Sequence, residues 1–244
     1  MDLKLKGLSV LVTGGTAGIG EAIVKAMAQE GCDVAFCSRS PEKVAATLQS
    51  MQGSLGRVRG RAIDVTHGDD FSAWLRTLER VDVFIPNVSA LSPDWEKSIA
   101  VDVLSTVRCV DAVLPYLAQS KHGAITYVGS KASSFGTPGF ESYGAAKAAM
   151  THYMKSLSRR LVLDGIRVNV VSPGDTFVEG GFWDNIKTHA ASVYETTLKA
   201  NPMGRLCTPE EVAKAVAFIS SPAASFIAGA NLMVDGGATE HVHG

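Results

Sequence analysis

The sequence predicts an α/β protein, a doubly wound, mostly parallel sheet with helices on both faces, in a single domain over residues 1–244. Three observations predict it. Short β-rich runs alternate with segments of helical periodicity along the whole chain. The first run, Leu8–Val12, is apolar without interruption, as a central strand covered on both faces must be. Polar and glycine residues with chemical potential fall just after one strand after another, the edge at which such sheets bind ligands.

In chain order, Leu8–Val12 leads into the glycine turn of TGGTAGIG (Thr13–Gly20). Ile19, Ala22, Ile23, Ala26 and Met27 then recur at helical spacing, and Gly31 stops that helix. Val34–Cys37 is the second strand. Ser40-Pro41 is an N-cap followed by proline at the first helical position. Gly60–Ile63 is a weaker strand ending at Asp64, and Val81–Ile85 a stronger one. Ser92-Pro93-Asp94 opens a long helical segment to Ser120, Ala124–Val128 is the next strand, and Ser142–Asp164 the next helix. Ile166–Val171 is a strand ending at Ser172-Pro173-Gly174. Thr208-Pro209-Glu210-Glu211 is a capping box opening a helix toward Ser220. Asn231–Val234 is the last strand, closed by Asp235-Gly236-Gly237. With six or seven strands and right-handed crossovers, the glycine turn, Asp64, Asn87, Ser130 and Pro173-Gly174 converge on one edge.

Composition excludes several functions. The net charge of −1, from 23 basic and 24 acidic side chains, gives no footprint for nucleic acid and no polybasic patch for a membrane. The N-terminal MDLKLKGLSVLV is too short and too charged for a signal peptide or a membrane span. Cys32, Cys37, Cys109 and Cys207 lack metal-ligand spacing and read as reduced thiols of a cytoplasmic protein. His241 and His243 have no carboxylate cluster beside them, so no metal site is expected.

The glycine turn points to a dinucleotide. Gly14, Gly18 and Gly20 stand between a strand and a helix, where missing Cβ atoms let the backbone approach a pyrophosphate resting on helical N–H groups. Thr16 and Ile19 belong to the same turn and are candidate contacts. The spacing G-x3-G-x-G differs from the G-x-G-x-x-G form, so a ligand-free turn remains an alternative. The second strand ends in Ser38-Arg39 with no carboxylate. An acid there would bind ribose hydroxyls, whereas an arginine accepts a 2′-phosphate, so NADP(H) is favoured over NAD(H). Asp64-Val65 is placed to meet the adenine, with a simple helix cap as the alternative for Asp64.

The chemistry rests on YGAAK at Tyr143–Lys147, with Ser130 upstream. Four residues apart on a helix, the phenol and the ammonium share a face. A nearby ammonium favours a phenolate, which is what a tyrosine acid/base requires. Ser130 follows a strand and can donate to an oxygen whose charge changes. Tyr-x-x-x-Lys alone occurs on many helices, and it gains meaning from the serine and the glycine turn before it.

On these motifs the chain resembles the short-chain dehydrogenase/reductase family, in its single-domain, 3-oxoacyl reductase-like branch, from Leu8 to Gly237. The resemblance implies a Rossmann fold, Ser130, Tyr143 and Lys147 as catalytic residues, and a second role for Lys147 (with Tyr143) in binding the nicotinamide ribose. It matches the family's proline-glycine turn to Pro173-Gly174 and implies a homotetramer or homodimer. Two departures stand out. The family's Asn-Asn-Ala-Gly is Pro86-Asn87-Val88-Ser89, with only Asn87 kept, and the asparagine that completes a catalytic tetrad is Asp102. Lys131 is also an unusual neighbour for the serine. A charged Asp102 near Lys147 would offset part of the positive field on Tyr143.

Residues 175–201 are expected to form a flap over the substrate, with Gly180-Gly181 as a hinge. Phe177, Phe182, Trp183 and Tyr194 either line an apolar substrate site or anchor the flap. The expected function is NADPH-preferring interconversion of a ketone or 3-oxoacyl group and a secondary alcohol. The alternatives are an NAD-linked polyol or cyclic-diol dehydrogenase, and a dinucleotide-binding regulator without chemistry.

Overall fold

The computed structural model describes residues 2–240. Among them, seven strands make one sheet: β1 (Ser9–Thr13), β2 (Asp33–Ser38), β3 (Val58–Ala62), β4 (Val83–Ile85), β5 (Ala124–Val128), β6 (Arg167–Pro173) and β7 (Asn231–Val234). Their order is β3-β2-β1-β4-β5-β6-β7, and every pairing is parallel. The helices are α1 (Gly18–Gln29), α2 (Pro41–Ser50), α3 (Gly68–Leu75), α4 (Trp95–Ser98), α5 (Ser105–Leu117), α6 (Glu141–Leu161), α7 (Phe182–His189), α8 (Ala191–Ala200) and α9 (Pro209–Ser220). The sequence order reverses direction between β1 and β4, and the ligand crevice of a doubly wound sheet opens at that switch.

Strand alternation builds two cores. Val10, Val12 and Phe36 pack against Ile23 and Met27 of α1 and Val216 of α9. Leu11, Phe84 and Ile125 turn the other way, onto Phe71 of α3, Val113 of α5 and Met154 of α6. The caps act as their sequences require. Ser40 Oγ accepts from the Lys43 N–H at 3.2 Å, and Thr208 and Glu211 cap α9 reciprocally.

Several boundaries differ from the expected ones, each for a local reason. Strand β3 starts at Val58 because it is an edge strand whose partly exposed residues carry little apolar signal. Strand β6 runs on through Pro173 because β7 pairs with Ser172 and Pro173. The long helical segment begins at Trp95, where the Asp94 side chain caps the Lys97 N–H at 2.7 Å. Between α4 and α5 it passes through a π-helical stretch, Ile99–Leu104, of the kind found at functional positions. Helix α3, the helix after Asp64, starts only at Gly68, with His67 at its N-cap position.

The stretch expected as a flap carries two helices, α7 and α8, with no fully buried residue. Its two ends meet. Thr176 bridges Cys207, the Phe177 N–H donates to the Cys207 carbonyl at 2.9 Å, and the Cys207 N–H donates to the Asp175 carbonyl at 2.8 Å. The four cysteines are free thiols, and no helix among the described residues is long and apolar enough to cross a membrane. His241 and His243 lie outside the described residues.

Candidate active site

A cavity of about 1070 Å3 opens along the carboxyl ends of the strands. At the upper end of ligand-site sizes, it has room for a dinucleotide and a small second ligand. Gly14, Thr16, Gly18, Ile19, Gly20, Ser38, Arg39, Asp64, Val65, Asn87, Ser130, Tyr143, Pro173 and Gly174 all line it. The sequence therefore named residues of one site. Lys147 and Asp102 are not on its wall; they lie buried behind Tyr143 and Ser89 respectively.

The glycine turn is a cradle that side chains would fill. A Cβ on Gly20 would sit 2.0 Å from the Gly14 carbonyl oxygen, and Gly14 itself has φ of 73°. Helix α1 starts at Gly18 with no side-chain cap, so its first N–H groups face the cavity end available to an anion. Asn87 fixes the turn from β4, its side-chain amide donating to the carbonyls of Thr13 (3.2 Å) and Gly14 (3.1 Å). Thr16 donates to Ser38 Oγ at 2.7 Å, joining the turn to the end of β2. These residues fit a dinucleotide phosphate.

Beyond Ser38, Arg39 and Lys43 bring two cations to the same end of the cavity. Lys43 escaped the sequence reading, although a lysine in the first turn after Ser40-Pro41 sits beside the end of β2. Asp64 caps no helix: its Oδ1 accepts from the Thr66 N–H (2.9 Å) and hydroxyl (2.7 Å) in a local turn. Burial pushes the Asp64 carboxyl up, but the Thr66 bonds and the Arg39 charge outweigh it and hold its pKa below the usual value.

On the other side of the switch, Ser130 ends the β5 connection and accepts from the Ala132 N–H at 3.1 Å, which leaves its hydroxyl proton to donate elsewhere. Tyr143 stands on α6, half-buried in the wall, and Lys147 lies one turn further along, 2% exposed. The Lys147 ammonium donates to the Tyr127 hydroxyl (3.1 Å) and the Val128 carbonyl (3.3 Å) and lies 3.4 Å from Asp102 Oδ1. It sits 5.7 Å from the centroid of the Tyr143 ring. Burial acts to lower its pKa, but the oxygens of Tyr127 and Tyr143 and the Asp102 carboxylate prevail, so it lies above the ordinary lysine value. Lys147 is a fixed positive charge beneath Tyr143.

Asp102 is completely buried, on the π-helical stretch. Its Oδ1 accepts from the Ser89 hydroxyl at 2.5 Å and its Oδ2 from the Ala90 N–H at 2.9 Å. Two departures from the family pattern, Ser89 and Asp102, thus contact each other. Tyr127, the other partner of Lys147, was hidden from sequence reading because within a strand it scores only as a core aromatic. Burial raises its phenol pKa, against the pull of Lys147.

The four aromatics of residues 175–201 divide. Phe182 and Trp183 line the cavity, and Phe182 meets Phe140 edge-on with centroids 5.6 Å apart. Phe177 and Tyr194 instead meet each other edge-on, with centroids 6.4 Å apart, anchoring α8.

A Rossmann sheet with a phosphate cradle on one side of the switch, and a serine and tyrosine over a buried lysine on the other, defines a nicotinamide-dependent oxidoreductase. A family model described as enoyl-(acyl carrier protein) reductase matches residues 14–239. Isoepoxydon dehydrogenase of Penicillium expansum is 38% identical, over 96% of this chain and 95% of that protein. The 3-oxoacyl-(acyl-carrier-protein) reductase of Chlamydia pneumoniae is 31% identical, over 98% and 100%. The solved Pseudomonas aeruginosa RhlG/NADP active-site complex superimposes with a TM-score of 0.87 at 26% identity, covering 97% of this chain and 98% of that one. The chain belongs to the short-chain dehydrogenase/reductase family, enzymes acting on CH–OH groups.

Proposed function

We propose that the protein interconverts a ketone or 3-oxoacyl group and a secondary alcohol, preferring NADP(H), with Tyr143 as the acid/base. The observation that carries this reading is the Tyr143 phenol on the cavity wall above an ammonium locked by Tyr127, Val128 and Asp102. Gly14, Gly18, Gly20, Thr16 and Ile19 would hold the pyrophosphate. Ser38 and Arg39, with Lys43, would hold the 2′-phosphate, and Asp64-Val65 the adenine. Asn87, Pro173-Gly174, Tyr143 and Lys147 would serve the nicotinamide side. Bound NADPH supplies a hydride to the carbonyl carbon.

The chain's own part is the proton. Ser130 donates a hydrogen bond to the substrate oxygen, and Tyr143 transfers its phenolic proton to that oxygen as the C=O bond becomes C–OH. The charge left on the Tyr143 oxygen is met by Lys147, which stays protonated in its buried setting. In the oxidation direction the same groups take the proton back. Asp102 touches no cavity surface, so it acts by holding Lys147 and Ser89 in place.

Relatives support the cofactor and the reaction class, since the similar proteins include a dehydrogenase and a 3-oxoacyl reductase and one solved neighbour holds NADP. We further infer that residues 175–201 close over the substrate, that the protein works in the cytoplasm, and that it assembles as a homotetramer or homodimer. Exposed Trp95, Ile99 and Leu104 along α4 and the π-helical stretch support an interface there. The test is a panel of ketones and secondary alcohols followed by nicotinamide absorbance, with both cofactors. Turnover with NADPH supports the reading. Turnover confined to NAD with polyols favours the alternative dehydrogenase, and no turnover with any compound favours a binding protein.

A further inference from the structure

Lys131 and Asp175 have no part in the chemistry described above. They follow β5 and β6 respectively, both line the cavity, and their side chains form an ion pair there, 19% and 15% exposed. The Lys131 ammonium also lies 5.7 Å from the centroid of the Phe135 ring, so it is held from two sides. An ion pair this enclosed gives little net stability, because desolvating both charges offsets their attraction. Phe135 stands on the same cavity wall, and Thr176 follows Asp175 on it. A fixed charge pair therefore stands on the cavity wall, its lysine next to Ser130 in the chain.

We propose that Lys131 and Asp175 recognise a second oxygen on the substrate, and that the favoured substrates are neutral hydroxylated ketones and the corresponding diols. The inference rests on the reading that the Ser130–Tyr143 end of the cavity receives the carbonyl. Lysine carries three N–H donors, of which one serves Asp175 Oδ2, and Asp175 Oδ1 has no hydrogen bond to a described residue. A neutral hydroxyl can accept from the first and donate to the second through a single oxygen. A carboxylate would gain from Lys131 but be opposed by Asp175 at the same point. A plain alkyl ketone would strip water from the pair and replace none of its hydrogen bonds.

The test compares cyclohexanone with its 2-, 3- and 4-hydroxy derivatives as substrates of the full-length enzyme with NADPH. It is paired with calorimetric binding of cyclohexanol and the matching cyclohexanediols to the enzyme with NADP. A hydrogen bond to a charged group discriminates by about tenfold or more, so at least one hydroxy ketone should exceed cyclohexanone by that factor in kcat/KM, and its diol should bind tighter than cyclohexanol. In Lys131→Met/Asp175→Leu, which leaves no unpaired charge, both preferences should collapse to within about threefold. Equal values for all the ketones and all the alcohols in the unmutated enzyme would overturn the proposal, as would a preference that survives in the double variant. Tighter diol binding without turnover of any of these ketones would uphold the recognition pair while overturning the placement of their carbonyl at Ser130 and Tyr143, so the two failures are distinct.

Discussion

Asp102→Ala probes the buried charge beneath Tyr143 directly. Without the carboxylate, the 2%-exposed Lys147 ammonium keeps only two neutral partners, the Tyr127 hydroxyl and the Val128 carbonyl. Breaking a buried ion pair costs about 3–5 kcal/mol, and the two surviving bonds place this case at about 3. In a domain of this size each kcal/mol moves Tm by about 2–4 °C, so a fall of about 6–12 °C is expected at pH 7. Asp102→Asn keeps an acceptor for the Ala90 N–H and should lose about half as much. The pH dependence has a definite sign. In the unmutated protein the Lys147 pKa is raised on folding, so its stabilisation is complete below the unfolded lysine value of about 10.4 and is lost only as pH climbs through the folded one. In the variant the carboxylate's share of that rise is gone, so the folded pKa lies lower and less stabilisation is lost as pH climbs. The gap in Tm between the two proteins should therefore be widest near neutrality and narrow on the alkaline side. Thermal unfolding followed by circular dichroism at several pH values measures it. A Tm for Asp102→Ala within about 2 °C of the unmutated protein at pH 7, or a gap that widens with pH, would refute the reasoning.

Three further outcomes are expected. Tyr143→Phe should cut kcat/KM by about 10²-fold or more while leaving NADPH affinity within a few-fold, checked by turnover and fluorescence titration; retention of a tenth of the rate would remove Tyr143 as the acid. The unmutated protein should bind NADPH at least about tenfold tighter than NADH, and Ser38→Asp with Arg39→Ile should reverse the order; equal dissociation constants would contradict the role of Arg39. Gly20→Ala should abolish tight NADPH binding, because its Cβ would fall 2.0 Å from the Gly14 carbonyl oxygen, and an unchanged titration would mean that the turn does not hold the phosphates.

The parts of this site that could be read from sequence are those whose signal is local. A glycine turn between a strand and a helix, a capping box, and a tyrosine and lysine one turn apart each carry their geometry within a few residues. Apolar runs marked the central strands for the same reason, whereas β3, exposed at the sheet edge, had a blurred start. What stayed hidden depends on contacts between distant segments. Ser89 and Asp102 meet across a loop, Lys131 and Asp175 across two strand ends, and Tyr127 reaches Lys147 from a different element. Helices α7 and α8 stayed hidden because each is short and holds no fully buried residue, although Phe182 and Ile186 stand one turn apart on α7.

The neck at Thr176 and Cys207 makes the stretch between them, with α7 and α8, an exchangeable cassette. The chain leaves β6 and comes back beside its own exit point at Cys207, just before α9, with both ends pinned by backbone hydrogen bonds, so what lies between can change in length or shape without disturbing the strands. Doubling such an excursion costs only about 0.6 kcal/mol in closure entropy. Phe182 and Trp183 travel with the cassette, while Ser130, Tyr143 and Lys147 stand on elements outside it. Lys131 and Asp175 also stay behind with the sheet. A lineage built on this scaffold can therefore trade the aromatic wall that Phe182 and Trp183 supply to the cavity, while Ser130, Tyr143, Lys147 and the Lys131–Asp175 pair keep their places.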